Sequence, residues 1–128
     1  MGKRKRISSY IIKKNKKKIT YSLLKNIKIT PRKIRLIVNL IKGTNVYNAL
    51  NILDNYISYK SSNILKNIIL SAISNYINKN GDVNNKKLFI KNIIVNSSGI
   101  KKKIKYAPQG RCHIIRKRLS YIKLIINK

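Results

Sequence analysis

The chain has 128 residues, which is enough for one domain. Its 31 Lys and Arg residues are opposed by only 2 acidic residues, and the formal net charge of +29 predicts a polyanionic partner. A hydrophobic content of 43% excludes a disordered polycation because it supplies a core. No apolar run approaches the ~20 residues that cross a membrane, so we expect an intracellular protein without membrane contact.

Residues 1–20 are predicted to form a basic N-terminal arm. Lys3, Arg4, Lys5 and Arg6 open this arm, and lysines continue to Lys18. Blocks of like charge are usually disordered until they meet an opposite charge. We therefore expect the arm to contact nucleic acid, and a solubilising tail is the alternative.

Residues 21–128 are predicted to form one α+β domain. Apolar residues recur with helical spacing in three segments and form stripes that pack in a core. Short β-branched runs predict three strands. In chain order the predicted elements are an edge strand over residues 21–29, helices over 31–42, 45–55 and 61–79, and strands over 88–96 and 114–126.

The first predicted helix begins with an N-cap at Thr30 and with Pro31 at its first position. Arg32, Lys33 and Arg35 crowd its first turn, where cations oppose the helix dipole. A phosphate bound at the exposed N–H groups would reverse that cost. This cluster is therefore a candidate contact for nucleic acid.

The segment Lys101 to Arg118 is predicted to be the outer part of an extended hairpin, spanning about residues 97–116 and reversing at Pro108-Gln109-Gly110. Its arms are too basic to be buried. An arm of about fifteen residues would reach about 50 Å, whereas a domain of this length is about 36 Å across. We therefore expect the hairpin to project beyond its domain and to be ordered in a partner.

Catalytic chemistry is poorly supported. Of the two carboxylates, Asp54 lies on a predicted helix and Asp82 in a predicted turn, and nothing pairs them. Adjacent residues of a strand point to opposite faces, so Cys112 and His113 do not form a catalytic pair. A single cysteine excludes an internal disulfide, and no zinc-type spacing is present. We expect no enzyme activity, no cofactor and no metal.

Four sequence blocks resemble, in order and spacing, the bacterial large-subunit ribosomal protein L twenty-two family. They are I-T-P-R-K-I-R-L-I-V-N-L-I-K-G (Ile29 to Gly43), A-L-N-I-L (Ala49 to Leu53), L-S-A-I-S-N (Leu70 to Asn75) and G-R-C-H-I-I-R-K-R-L-S-Y-I (Gly110 to Ile122). The opening M-G-K-R-K-R and the tip A-P-Q-G-R are similar to the Bacteroidota form. The abundance of Ile, Lys and Asn resembles the usage of an A/T-rich endosymbiont.

The resemblance implies three helices packed on a small three-stranded antiparallel sheet, with a long protruding β-hairpin. It implies a structural constituent of the large ribosomal subunit that acts in translation, binds large-subunit (23S-type) rRNA and lines the nascent-peptide exit tunnel with its hairpin tip. The implied partners are this rRNA, neighbouring large-subunit proteins and the nascent polypeptide. The implied location is the cytoplasm of a bacterium rather than an organelle.

The candidate rRNA-binding residues are Lys3, Arg4, Lys5, Arg6, Arg32, Lys33, Arg35, Lys101, Lys102, Lys103, Lys105, Arg111, Arg116, Lys117 and Arg118. The candidate tunnel-facing tip is Tyr106, Ala107, Pro108, Gln109, Gly110 and Arg111. One departure from the family lies in this tip. Many bacterial members have P-R-A-x-G-R there, whereas this chain has Y-A-P-Q-G-R, so Ala107 replaces a usual Arg and one tip contact is in doubt.

Two other functions are alternatives for so basic a chain. An architectural DNA-binding protein can place a basic β-arm with a proline tip in a minor groove, although that class explains the helix-start cluster less well. A cationic membrane-active peptide does not fit, because the apolar faces are needed for the core. The order of the motifs favours the ribosomal function.

Overall fold

A computed structural model describes residues 5–11, 19–81 and 88–127. Within those ranges the chain forms four helices and three strands. In chain order these are α1 (residues 5–11), β1 (Thr20–Ile27), α2 (Pro31–Ile41), α3 (Val46–Asp54), α4 (Tyr59–Asn80), β2 (Phe89–Tyr106) and β3 (Cys112–Asn127). The predicted α+β class is confirmed.

The predicted number of helices is wrong, because α1 forms within the segment expected to be an irregular arm. Its sequence contains a local reason for the helix. Ile7, Tyr10 and Ile11 stand at positions i, i+3 and i+4, so they share one helical face. The Ser9 hydroxyl also donates a hydrogen bond to the Arg6 carbonyl. The sequence therefore contains a two-turn apolar stripe, which the surrounding charges outweighed in the prediction.

Helices α2, α3 and α4 begin close to the predicted positions. Thr30 is the N-cap residue of α2, as predicted, and Asn45 is that of α3, but neither side chain makes a capping hydrogen bond. Packing rather than capping therefore holds these helices. Gly43 follows the C-cap of α2 with φ +79°, a left-handed conformation that glycine adopts without steric cost.

The sheet is antiparallel in the order β1-β3-β2, so β3 is the central strand. Alternate β3 residues face the helices, and Ile122 and Leu124 are fully buried there. They form one core cluster with residues such as Ile41 of α2 and Leu65 and Ile69 of α4. The helical stripes predicted from the sequence are the surfaces that bury this sheet.

Both edges of the sheet are partly covered, which limits pairing with other chains. At the β2 edge, the α2–α3 linker pairs with the strand: Gly43 N–H donates to the Ile90 carbonyl and Ile90 N–H donates to the Thr44 carbonyl. At the β1 edge, two side chains of α4 donate hydrogen bonds to backbone carbonyl groups. Asn75 donates to Tyr21 and Lys79 donates to Ile19.

The β2–β3 ladder continues far beyond the core. It runs from the pair Phe89↔Asn127 to the pair Tyr106↔Cys112, and a turn over residues 107–111 joins the strands. Every side chain of residues 100–106 and 112–118 is exposed. We call residues 100–118 the outer hairpin. Its arms are continuous with strands whose other ends lie in the core.

The base of the outer hairpin is braced by two irregularities that face each other. Ser98 is the extra residue of a β2 bulge between Ser97 and Gly99, and β1 shifts register between Leu24 and Ile27. Asn26, within that shift, has φ +58°, and its Oδ1 accepts a hydrogen bond of 2.6 Å from the Ser98 hydroxyl. This bond links the two outer strands of the sheet where the hairpin leaves the domain.

We predict that Asn26→Ala lowers the free energy of unfolding by about 2 kcal/mol. About half comes from the lost hydrogen bond, and the rest from forcing a residue with a Cβ but no local polar group into the left-handed region. Asn26→Gly should lose about half as much, because glycine accepts this φ. Urea denaturation of both variants measures the difference, and equal losses would show that the conformation of residue 26 is not strained.

Candidate nucleic-acid interface

The register of the outer hairpin places like charges opposite one another. Lys101 pairs with Lys117 and Lys102 pairs with Arg116 across the two strands. Directly opposed like charges destabilise a sheet. In the part of the chain that the structure describes, the one ion pair joins Lys66 to Asp54, on helices away from the hairpin. The outer hairpin therefore has no internal counter-charge.

The tip is a tight reversal with an exposed aromatic ring and a cation. Ala107 N–H donates to the Arg111 carbonyl at 3.0 Å, and Arg111 N–H reaches the Pro108 carbonyl at 3.5 Å. Gln109 and Gly110 both have positive φ, +61° and +69°, as the central residues of a type I′ turn do. The sequence predicted positive φ for Gly110, but it gave no signal for Gln109. Five of the six predicted tip residues lie in this turn, and Tyr106 is the last residue of β2 beside it.

The three predicted contacts on α2 have different surroundings. Arg32 and Lys33 are exposed on the first turn of α2, so an anion from solvent can reach both side chains. Arg35 instead donates two hydrogen bonds to the Val95 carbonyl of β2, from Nε at 3.2 Å and from Nη2 at 2.9 Å. The guanidinium thus satisfies an open carbonyl of the edge strand. Arg35 therefore joins α2 to the sheet.

A basic cavity of about 420 Å³ lies at the base of the outer hairpin. Four of its cations were predicted from the sequence: Lys101, Lys103, Lys117 and Arg118. The other two, Lys28 after β1 and Lys60 in the first turn of α4, were not. Each lies two residues from an N-cap, Thr30 or Ser58, and that position was the only signal in the sequence.

An adjoining cavity of about 300 Å³ shares Lys28 and Lys60 with the first. It is lined by the N-cap residues of two helices, Thr30 of α2 and Ser58 of α4, together with Lys33. Free backbone N–H groups and the positive end of the dipole make a helix N-terminus favourable for anions. Two such ends and three lysines therefore border one space.

The remaining predicted sites are placed as follows. Lys5 and Arg6 lie exposed on α1, while Lys3 and Arg4 fall outside the described residues, as does Asp82. Cys112 is a free, exposed thiol. Among the described residues no three His, Cys, Asp or Glu side chains gather at a point that suits a metal ion. None of the described helices is both long and apolar enough to cross a membrane.

Comparison with known proteins identifies relatives over almost the whole chain. The model of the family described as ribosomal protein L22p/L17e matches residues 22–127. The "Large ribosomal subunit protein uL22" of Christiangramia forsetii is 40% identical, over 98% of this chain and 94% of its own. The proteins of the same name from Karelsulcia muelleri and Bacteroides fragilis (strain YCH46) are 41% and 34% identical, covering 88% and 99% of this chain and 84% and 93% of theirs.

The different surroundings of Arg32 and Arg35 give a testable contrast. Arg35→Ala should lower the free energy of unfolding by about 1 kcal/mol, because it leaves the Val95 carbonyl without its partner. Arg32→Ala should change it by no more than about 0.5 kcal/mol. Thermal or urea unfolding of the purified variants measures both. Equal stabilities would mean that the Arg35 fork contributes nothing in solution.

Proposed function

We propose a position within the ribosome for this chain, which belongs to the ribosomal protein L22p/L17e family and is a structural, non-enzymatic component of the large ribosomal subunit. In this proposal large-subunit rRNA holds the outer hairpin, and the tip of the hairpin lies in the wall of the nascent-peptide exit tunnel. Ribosomal RNA and neighbouring ribosomal proteins are its partners. The tunnel position and contact between the tip and nascent polypeptides are part of the proposal. The bacterial relatives support a bacterial cytoplasmic location.

The observation that best supports this function is the cross-strand pairing of like charges. Lys101 opposite Lys117 and Lys102 opposite Arg116 repel each other in the isolated protein. A phosphate backbone along the hairpin turns this repulsion into attraction, because each cation then neutralises a phosphate and releases a counterion. A surface that is unfavourable alone and favourable beside RNA is what an rRNA-held hairpin requires.

The apolar side chains of the outer hairpin fit the same partner. Ile104 and Ile114 face each other across the strands and are more than half exposed. They lie outside the core cluster. Apolar side chains between cations can pack on ribose and on base edges, while the cations contact phosphates. A purely solvated hairpin would leave this apolar surface in water.

The proposed contacts with rRNA are, along the outer hairpin, Lys101, Lys102, Lys103, Lys105, Arg111, Arg116, Lys117 and Arg118, and, elsewhere, Lys3, Arg4, Lys5, Arg6, Arg32 and Lys33. Arg35 remains a proposed contact: its Nε and Nη2 donate to the Val95 carbonyl, but the side chain is exposed and a guanidinium carries five N–H donors. At the tip, Tyr106 is 89% exposed and adjoins the turn that ends in Arg111. An exposed ring and a guanidinium are groups on which unstacked bases stack.

Truncation of the outer hairpin separates folding from function. Replacing residues 102–116 by Asn-Gly, the preferred two-residue hairpin turn, joins the paired residues Lys101 and Lys117. The core should stay folded, because every core-cluster residue lies outside the deleted segment. The deletion removes Lys102, Lys103, Lys105, Arg111 and Arg116.

We expect the truncated protein to unfold cooperatively with nearly unchanged stability. Its affinity for a full-length large-subunit rRNA transcript should depend less on salt, with a log–log slope smaller by about 3 to 4 units if most of the removed cations contact phosphates. Filter binding over a salt series measures this slope. An unchanged slope would contradict the proposed role of the hairpin, and loss of the unfolding transition would contradict the separation of hairpin and core.

At the tip, Arg111→Ala should weaken RNA binding more than Cys112→Ala does. Arginine can stack on a base or bond phosphate oxygens in a bidentate manner, whereas Cys112 is a small exposed thiol. The crosslinking yield between the tip and rRNA, in subunits reconstituted with each variant, measures this difference. Equal yields would remove Arg111 from the set of proposed contacts.

A further inference from the structure

The basic cavity below the outer hairpin is not explained by the hairpin alone. Its cations come from four parts of the chain that are distant in sequence: the β1–α2 linker, the start of α4, β2 and β3. The fold therefore brings Lys28 and Lys60 to Lys101, Lys103, Lys117 and Arg118. In the described part of the chain none of these six forms an ion pair. Bringing six like charges to one cavity opposes folding unless an anion enters.

A second cavity shows which way the basic cavity extends across the domain. The second cavity, lined by Thr30, Lys33, Ser58 and Ser61, shares Lys28 and Lys60 with the first, so the two cavities adjoin at these lysines. We call the two cavities together the groove. Along this groove the donors change in kind. The lysines and the arginine of the hairpin base come first, and hydroxyl groups and the N-terminal turns of α2 and α4 follow.

The donors in the second cavity suit phosphate oxygens. The Thr30 side chain makes no capping bond. The Ser58 and Ser61 hydroxyls meet only at 3.4 Å, a long contact for two hydroxyl groups, although Ser61 is 95% buried. The first turns of both helices contain no acidic residue. Hydroxyls with weak internal bonds, two helix N-termini and lysines together match an anion that has several acceptor oxygens.

We propose that this groove holds successive backbone phosphates of one rRNA strand, which passes from the base of the outer hairpin across the N-terminal ends of α2 and α4. Lys28 and Lys60 are the shared clamp between the two cavities. This inference rests on the proposed function, since it names a second place where the same class of ligand binds. It makes the RNA contact continuous from the hairpin to the helical domain.

The test uses the full-length protein and the same rRNA transcript. The double variant Lys28→Gln/Lys60→Gln should reduce the log–log salt slope of binding by about 1.4 to 1.8 units, as two lost phosphate contacts do. Both side chains are exposed, so the core should stay packed, and the free energy of unfolding should be unchanged or slightly higher because two repelling charges are removed. Lys28→Arg/Lys60→Arg keeps the charges and should keep the slope.

The matched control is Lys42→Gln/Lys91→Gln, which removes the same charge from exposed positions at the C-terminal end of α2 and near the start of β2. Its slope should change by less than half as much as that of the clamp variant. Equal changes in the two double variants would overturn the groove, because only overall charge would then matter. An unchanged clamp slope beside a reduced slope for the truncated hairpin would overturn the groove and leave the proposed function intact.

A further measurement separates an RNA strand from a free phosphate ion. At constant ionic strength, exchange of chloride for inorganic phosphate should weaken RNA binding more for the wild-type protein than for the clamp variant, because the ion competes for the donors that hold the RNA phosphates. If inorganic phosphate binds the wild type and not the clamp variant, while both proteins have the same salt slope with RNA in chloride, the groove binds a free ion and the proposal is wrong. Absence of any binding to the transcript by the wild type would instead reject the proposed function itself.

Discussion

The antiparallel ladder formed by β3 is the constraint on which the rest of the structure depends. At one end of β3, Ile122, Leu124 and Ile126 are buried against the helices, and at the other end the same strand presents Arg116, Lys117 and Arg118 to solvent. Because backbone hydrogen bonds continue from one end to the other, the position of the core sets the direction of the outer hairpin.

Charge sets the second condition. A chain with a net charge of +29 gains little from folding its cationic surfaces together. The fold nevertheless opposes Lys101 to Lys117 and brings Lys28 and Lys60 to the base of the hairpin. The apolar stripes of α2 and α4 supply the burial that outweighs this repulsion. The arrangement makes sense for a protein whose bound state includes the phosphates of RNA.

Most of the framework could be predicted from local sequence patterns. Helical apolar stripes located α2, α3 and α4 to within two residues at each end, and the Pro108-Gln109-Gly110 signal located the reversal between β2 and β3. The motifs predicted the family, which the comparison confirms. Such features are local, or lie in short blocks, so a single sequence contains them.

The features that could not be predicted depend on contacts between distant residues. Nothing near Arg35 shows that its guanidinium meets the Val95 carbonyl, 60 residues away. Lys28 and Lys60 share a cavity only because the end of β1 and the start of α4 lie close together beside the hairpin. Asn26, which has a positive φ, bonds to Ser98, 72 residues away. Helix α1 is different, since its stripe was visible and was outweighed by the charges around it.

The most direct test of the account is a cryo-electron microscopy map of the large ribosomal subunit that contains this chain. The account predicts that the outer hairpin, residues 100–118, is enclosed by rRNA along both strands. It predicts that Tyr106 and Arg111 border the exit tunnel. It also predicts an RNA strand beside Lys28 and Lys60. A hairpin lying on the solvent side of the subunit, with its tip away from the tunnel, would contradict the central claim.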